Sequence, residues 1–343
     1  MKLLTKTISI LFASMCLVVS TSADNKFVPS NKKNLAVEYT LSPEVAKNID
    51  ETFFKFTDKP LAEIGFFVND AHHNVHNVYV QQVGATSLSQ LSFSSLINDD
   101  KARVLFNEDP RLGGFTPFNL VIYRKISDMK TVITHITPQA ALDILQISNK
   151  DVRKIYTDMF EPLNAAIESK FPTAKKSYTT IKGYAKQSMM NFEIPFEEQD
   201  DIDNFFDDFQ EKFEAAFETK GYIIAGFYNM KYSLNTDADV LPGFEQYVVW
   251  SLCHIPFSYT IFDGKNPLPK AAMFAPCSMY AYIKEGENKI VIGMPTLNAW
   301  AAALGITDKD KLLKINQLDT EIPEIIHSLG GIDTNNANPF SKK

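Results

Sequence analysis

Apolar positions along the chain predict a strand followed by an amphipathic helix, and this pair of elements occurs twice. The first strand is expected at residues 35–41, and its helix is indicated by apolar side chains three or four residues apart: Val45, Ile49, Phe53 and Phe56. The second strand is expected at residues 190–194, and its longer helix shows the same spacing at Ile202, Phe205, Phe206, Phe209, Phe213 and Phe217. Each helix is expected to end at a glycine, Gly65 or Gly221, because glycine tolerates the left-handed conformation that terminates many helices.

The second half of each copy is predicted as a β-hairpin followed by two helices. The hairpin strands are expected at 119–126 and 131–136 in the first copy, and at 278–284 and 289–293 in the second. The helices are expected at 138–145 and 151–171, and at 297–304 and 309–329. Between these parts, residues 72–83 are predicted as a strand or a loop, and residues 94–106 and 253–262 each as a short helix.

Direct alignment shows that the two copies are a repeat. Residues 110–151 align with residues 269–310 without a gap, and about one position in three is identical, against roughly 6% for random pairing. Identical pairs include Pro117/Pro276, Tyr123/Tyr282, Lys130/Lys289 and Thr137/Thr296. A period this long indicates a duplicated domain, because solenoid repeats run to about 20–50 residues. The mixture of strands and helices predicts an α+β fold: two tandem copies of a small two-layer α/β sandwich domain, which could pack with pseudo-twofold symmetry.

The N-terminus has the pattern of a secretory signal peptide. Lys2 and Lys6 precede or flank the start of an apolar run, and the small residues Thr21, Ser22 and Ala23 offer a cleavage site. No later segment is apolar enough to span a membrane, so we expect a soluble exported protein that is periplasmic or secreted. The predicted boundaries are a signal peptide at 1–23, an N-terminal segment at 24–34, a first repeat at 35–171, a linker at 172–187, a second repeat at 188–329 and a flexible tail at 330–343.

Composition and the absence of known motifs argue against several classes of function. The 343 residues carry a formal net charge of −7, which argues against nucleic acid, because phosphate binding needs clustered Lys and Arg. The chain has none of the dinucleotide, P-loop, zinc-protease or serine-hydrolase motifs, so we predict no catalytic residue and no cofactor. Whether the protein is an enzyme stays open, with a non-enzymatic role favoured.

The two cysteines that follow the predicted signal peptide are Cys253 and Cys277, both in the second copy. A lone pair in an exported protein is a disulfide candidate. Two buried free thiols are the alternative, and a redox pair is a third interpretation. The neighbouring His254 is not expected to activate Cys253, because adjacent side chains diverge on a strand and on a helix.

His72, His73 and His76 form the densest group of potential metal ligands. On an extended strand His72 and His76 would lie about 13 Å apart, which is too far for one ion. A solvent-exposed polar strand or loop is therefore the simpler interpretation, and weak surface metal binding is the alternative. The acidic residues between 200 and 208 have helical spacing, which is typical of a solvated helix face rather than of a calcium loop.

Short motifs in both copies resemble those of the family called domain of unknown function 302. In the second copy they are Gly221-Tyr222, Cys253-His254-Ile255-Pro256 and Ala275-Pro276-Cys277, and in the first copy they are Gly65-Phe66, Ile97-Asn98-Asp99 and Thr116-Pro117-Phe118. The resemblance covers about residues 35–170 and 188–329. It implies a small α+β domain present twice, and it implies no reaction, because the family has no established activity. The first copy lacks both cysteines, so any family function that needs them would be confined to the second copy.

These observations lead to competing functional hypotheses. The leading one is an exported, non-enzymatic protein that binds a small ligand or a protein partner, with the cleft between the copies as the expected site. The alternative is a thiol/disulfide or sulfur-related redox protein that uses Cys253 and Cys277. A structural envelope protein that only presents surface is a third possibility.

Overall fold

The computed structural model describes residues 34–46, 49–128, 130–230 and 241–341. The predicted signal peptide and almost all of the N-terminal segment lie outside these residues. The described chain forms two six-stranded antiparallel sheets with helices, in two similar halves, so the predicted α+β class with two similar parts is confirmed. None of the described helices combines the length and the apolar character needed to cross a membrane.

The first repeat runs from the first to the sixth strand. Its elements in chain order are β1 (Asn34–Thr40), α1 (Ile49–Ala62), β2 (Phe67–His72), α2 (Val75–Val83), β3 (Leu88–Ile97), α3 (Asp99–Glu108), β4 (Phe118–Lys125), β5 (Thr131–Ile136), α4 (Pro138–Ile144), α5 (Lys150–Lys170) and β6 (Lys175–Thr180). A 3-10 turn at Pro110–Gly114 precedes β4. The strand order is β2-β3-β4-β5-β1-β6.

The second repeat contains the counterpart of almost every element of the first. Its elements are β7 (Met189–Pro195), α6 (Ile202–Thr219), β8 (Ile223–Asn229), β9 (Phe244–Cys253), α7 (Ile255–Phe262), β10 (Cys277–Lys284), β11 (Lys289–Pro295), α8 (Leu297–Leu304), α9 (Lys309–Ser328) and β12 (Ile332–Asp333). A 3-10 turn at Pro269–Phe274 precedes β10. The order β12-β7-β11-β10-β9-β8 matches that of the first sheet, strand for strand.

The local sequence explains why the paired elements begin and end where they do. Gly65 and Gly221, which follow α1 and α6, both adopt a φ of 84°, a conformation that glycine enters without strain. Thr137 and Thr296 cap α4 and α8, because each hydroxyl oxygen accepts a hydrogen bond from the backbone N–H three residues on. The predicted apolar face of α6 is buried, and Phe213 stacks on Trp250 of β9 with ring centroids 4.0 Å apart.

Four segments differ from the sequence-based expectation. Residues 94–106, expected as a short helix, contain the last four residues of β3, and the helix begins only at Asp99, where the Asn98 side chain accepts the Lys101 N–H. Residues 72–83, expected as a strand or a loop, contain helix α2, because Asn74 turns the chain out of β2 in a left-handed conformation that asparagine tolerates (φ 51°). The predicted linker contains β6, which pairs with β1 along its whole length. The predicted flexible tail contributes β12 to the second sheet and buries Asn338, whose side chain donates to the Ser188 hydroxyl at 2.8 Å.

The two repeats contact each other through their 3-10 turns. The turn at Pro110–Gly114 packs on β10 and β11 of the second repeat, and the turn at Pro269–Phe274 packs on β4 and β5 of the first. Each junction has its own hydrogen bond: the Tyr247 hydroxyl donates to the carbonyl of Pro110 at 2.5 Å, and the Asn119 amide donates to the carbonyl of Ala275 at 2.8 Å. This reciprocity agrees with a pseudo-twofold arrangement.

We predict that Gly113→Ala destabilises the protein by about 1–3 kcal/mol, which is typical of overpacking. A methyl group at Gly113 would meet the Tyr247 hydroxyl and would lie 2.6 Å from Cβ of Tyr280, an atom too close to the backbone to move aside. Urea unfolding of the full chain measures the change in the free energy of unfolding. The matched control is Gly183→Ala, where the nearest atom, the Ala302 carbonyl oxygen, lies 3.7 Å away. Equal stability of the two variants would contradict close packing of this turn against the second sheet.

Candidate functional site

The two cysteines are free thiols, so the predicted disulfide is not present in the structure. The register of the sheet gives the reason. Cys277 on β10 pairs with Leu252 on β9, and Cys253 is the next residue along β9. Successive side chains of a strand point to opposite faces, so the two thiols lie on opposite sides of the sheet. A bond between them would have to pass through the sheet.

The partial burial of both thiols disfavours the reactive thiolate. It raises the pKa of Cys253 to about 11 and raises the pKa of Cys277 further. Catalytic and redox thiols instead have a lowered pKa, because the thiolate is the attacking species. His254 does not serve as a base here: its Nδ1 accepts the Phe257 N–H at 3.2 Å and caps α7, and burial lowers its pKa. The cysteine cluster therefore gives no support to the redox hypothesis.

The three histidines have separate packing roles. His73 stacks on Phe54 with ring centroids 3.5 Å apart, and His72 packs against Phe93 at 4.7 Å. His76 is buried on α2, and its Nδ1 accepts the Leu91 N–H at 3.1 Å. Within the part of the chain that the structure describes, no three His, Cys, Asp or Glu residues are placed to hold one metal ion. The structure thus offers no support for metal binding by these histidines.

A cavity lies at one end of the first sheet, and we call it the cation pocket. It has a volume of about 950 Å³, where β1 ends, the β4–β5 hairpin turns and β6 begins. The residues around it are Thr40, Leu41, Ser42, Pro43, Ala46, Arg124, Asp128, Lys130, Thr173 and Lys175. Sequence reasoning missed this site because its walls come from three separate segments, and only the fold brings them together.

Positive charge dominates the cation pocket. Arg124, Lys130 and Lys175 line it, against the single carboxylate of Asp128. None of the ion pairs formed within residues 34–46, 49–128, 130–230 and 241–341 uses any of these three cations. Arg124 is held in place by its own hydrogen bonds, from Nε to the Thr131 hydroxyl at 2.6 Å and from Nη2 to the carbonyl of Ala46 at 2.7 Å. Its other N–H groups can therefore serve a ligand without further ordering of the side chain.

The second repeat shows that the fold does not need these cations. Thr40 pairs with β5 at Val132, and Glu193 pairs with β11 at Val291, the position equivalent to Val132. Glu193 thus replaces Thr40, and it binds Lys289, the counterpart of Lys130, at 2.8 Å. Two further replacements remove charge from this end of the second sheet: Ile283 stands in the place of Arg124, and Ile332 stands in the place of Lys175.

A second cavity, of about 520 Å³, lies between α1 and β2, also in the first repeat. Two of its three carboxylates already have partners. Asp50 accepts hydrogen bonds from the side chains of Gln90, Ser92 and Asn74, and Glu51 pairs with Lys55 at 2.6 Å. We therefore find less reason to expect a ligand here than in the cation pocket.

The expected binding cleft between the repeats is filled by side chains where the repeats meet. Phe106 stacks on Tyr247 with ring centroids 4.5 Å apart, and Phe115 lies 6.0 Å from Phe274. Asp263 of the second repeat also accepts the backbone N–H of Ser87 at 2.5 Å. The two cavities described above lie within the first repeat instead.

We predict that iodoacetamide alkylates neither Cys253 nor Cys277 in the folded protein at neutral pH. Burial raises the pKa of both thiols, so the reactive thiolate is scarce. Mapping the alkylated peptides by mass spectrometry measures each site separately. The control is the same reaction in guanidinium chloride, where both thiols should react without prior reduction. A mass deficit of about 2 Da in the unreduced, denatured protein would reveal a disulfide and contradict the prediction.

Comparison with known proteins adds little to this description. No protein-family model matches the sequence, and no curated protein matches it. Four solved chains match the structure, among them an uncharacterized conserved protein, DUF302, from Bacillus stearothermophilus. That protein is 18% identical, the alignment covers 40% of this chain and 98% of that chain, and the TM-score is 0.33. At this TM-score the similarity carries no argument about fold or function.

Proposed function

We propose that the protein is an exported binding protein that takes an anionic ligand in the cation pocket, without catalysing a reaction. The observation that carries this proposal is a cavity of about 950 Å³ lined by Arg124, Lys130 and Lys175, none of which forms an ion pair within the part of the chain that the structure describes. They stand out because the chain as a whole has a formal net charge of −7. The proposed export is supported by the signal-like sequence of residues 1–23.

Electrostatics favours an anion in this pocket. Like charges that share a small volume raise each other's free energy, and a ligand carboxylate or phosphate near them removes that cost. Because Lys130 and Lys175 are exposed to solvent, each such contact would contribute about 1 kcal/mol or less. Counterions screen such contacts, so binding should weaken as salt concentration rises.

The remaining walls suggest the shape and chemistry of the ligand. Leu41, Pro43 and Ala46 form an apolar side, and Ser42 and Thr173 offer hydroxyl groups. A volume of this size suits a whole small molecule or the end of a chain rather than a lone inorganic ion. The lining holds one carboxylate and neither an imidazole nor a thiol, which supports binding rather than catalysis.

We predict that replacing both Lys130 and Lys175 by alanine weakens anion binding by about tenfold or more. Isothermal titration of the full chain with phosphate, citrate and a long-chain carboxylate, at low and high salt, measures the loss. The matched control is Lys289→Ala, because Lys289 occupies the equivalent position and is already paired with Glu193. Binding that is unchanged in the double variant, or equally reduced in the control, would contradict the proposed site.

A second variant transfers the arrangement of the second repeat to the first. Thr40→Glu places a carboxylate where the second repeat has Glu193, so it should pair with Lys130 and compete with the ligand. We expect anion affinity to fall by about tenfold while stability stays nearly unchanged, because the sheet of the second repeat accommodates glutamate at this position. Thermal unfolding checks the stability, and the same titration checks the affinity. Undiminished affinity in a folded Thr40→Glu protein would count against the cation pocket.

A further inference from the structure

We infer that the anion is carried by an extended acidic peptide, which adds a strand to the outer edge of β6 and places a carboxylate in the cation pocket. This inference rests on the proposed function, because it names the ligand class of the same site. Peptides bind sheet edges in many proteins through backbone hydrogen bonds, and flanking pockets then select their side chains.

β6 presents a free edge of suitable length. It is the last strand of the first sheet and pairs on one side only, with β1. Five of its six residues are exposed, and Tyr178 is 50% exposed. Six residues of strand extend for about 20 Å, which is enough for several backbone hydrogen bonds.

The other three edges of the two sheets are less suited to this role. β2 and β8 lie against each other across the boundary between the repeats. The Asp70 carboxylate on β2 lies over Gly226 on β8, in the space that a side chain at Gly226 would need. β12 has only two residues. Among the edges formed by the described residues, β6 is therefore the long one left open.

The free edge leads directly into the cation pocket. Lys175 is the first residue of β6, and it lines the pocket together with Thr40, its partner on β1. A strand laid along β6 would lie about 14 Å from β5 and about 19 Å from β4, so its last residues would have to turn across the end of the sheet to bring a carboxylate to Lys130 and Arg124. The carboxylate of such a peptide would meet the cations while its backbone pairs with the strand.

Charge also selects the kind of strand that can bind. Lysines on an edge strand oppose pairing with another copy of the same edge, because like charges would face each other. Lys175 and Lys176 open β6, and Lys176 is already paired with Glu168 at 2.6 Å, so Lys175 is the cation left to attract a partner. An acidic strand would turn this repulsion into attraction. We therefore commit to an acidic peptide rather than to a second copy of this chain.

The test uses a synthetic octapeptide of alternating glutamate and threonine with a free C-terminal carboxylate. Hydrogen exchange of the full chain, followed by mass spectrometry, should show protection within Lys175–Thr180 when the peptide is bound. A peptide of the same charge with proline at two central positions cannot complete the backbone pairing. We expect it to bind about tenfold more weakly and to give no protection of β6. Binding of the first peptide should also weaken about tenfold in the Lys130→Ala, Lys175→Ala double variant.

The outcomes separate this inference from the proposed function. If citrate binds the pocket but the two peptides bind equally and leave β6 unprotected, the inference is overturned and anion binding stands. If the peptide protects β6 equally in the double variant, the edge of β6 binds the peptide without help from the cation pocket. The inference is then also overturned. If neither citrate nor the peptide binds, both proposals fail. Protection of β6 that depends on the two lysines is the result that supports the inference.

Discussion

Each 3-10 turn packs against the sheet of the other repeat, and the rest of the structure depends on this contact. A sheet with helices on one face leaves its other face open, and an apolar open face must be covered. In β4 the six residues from Phe118 to Tyr123 are all buried, although alternate side chains point to opposite faces. Helices can cover only one of these faces, so the turn at Pro269–Phe274 and its surroundings must cover the other. Neither repeat is complete without this contact.

This constraint decides where the two copies could diverge. Some positions beside this contact remain alike, as in Pro117/Pro276, which directly precede the strands β4 and β10 that the turns pack on. The ends of the sheets lie away from that contact, and there the copies differ in charge, as in Arg124 against Ile283. Packed side chains fill the space between the repeats, so a ligand site is more easily accommodated at the end of a sheet. The cation pocket lies at such an end.

Much of the fold could be predicted from the sequence because periodicity reports burial, and the parts that were missed lack that signal. The phenylalanines of α6 mark its buried face directly. β6 is an exposed edge strand, so residues 175–180 show no alternation of apolar and polar positions. Helix α2 depends on the backbone conformation of Asn74, and the separation of Cys253 from Cys277 depends on strand register. Neither the backbone conformation nor the strand register can be recognised in a single sequence. The cation pocket was missed for a similar reason, because only the fold brings Lys175 to the same cavity as Arg124 and Lys130.

The pair Lys130/Lys289 shows why identity between repeats does not by itself identify a shared function. The two lysines end equivalent hairpin turns at the start of equivalent strands, yet one is bound by Glu193 and the other lines a cavity. What differs is the residue across the sheet, Thr40 in one repeat and Glu193 in the other. Glutamate in the second repeat shows that a local ion pair is compatible with this fold, so leaving Lys130 unpaired is not forced by the architecture. Lys130 is exposed to solvent, so stability does not require a partner for it, and it stays available to a ligand in the cation pocket.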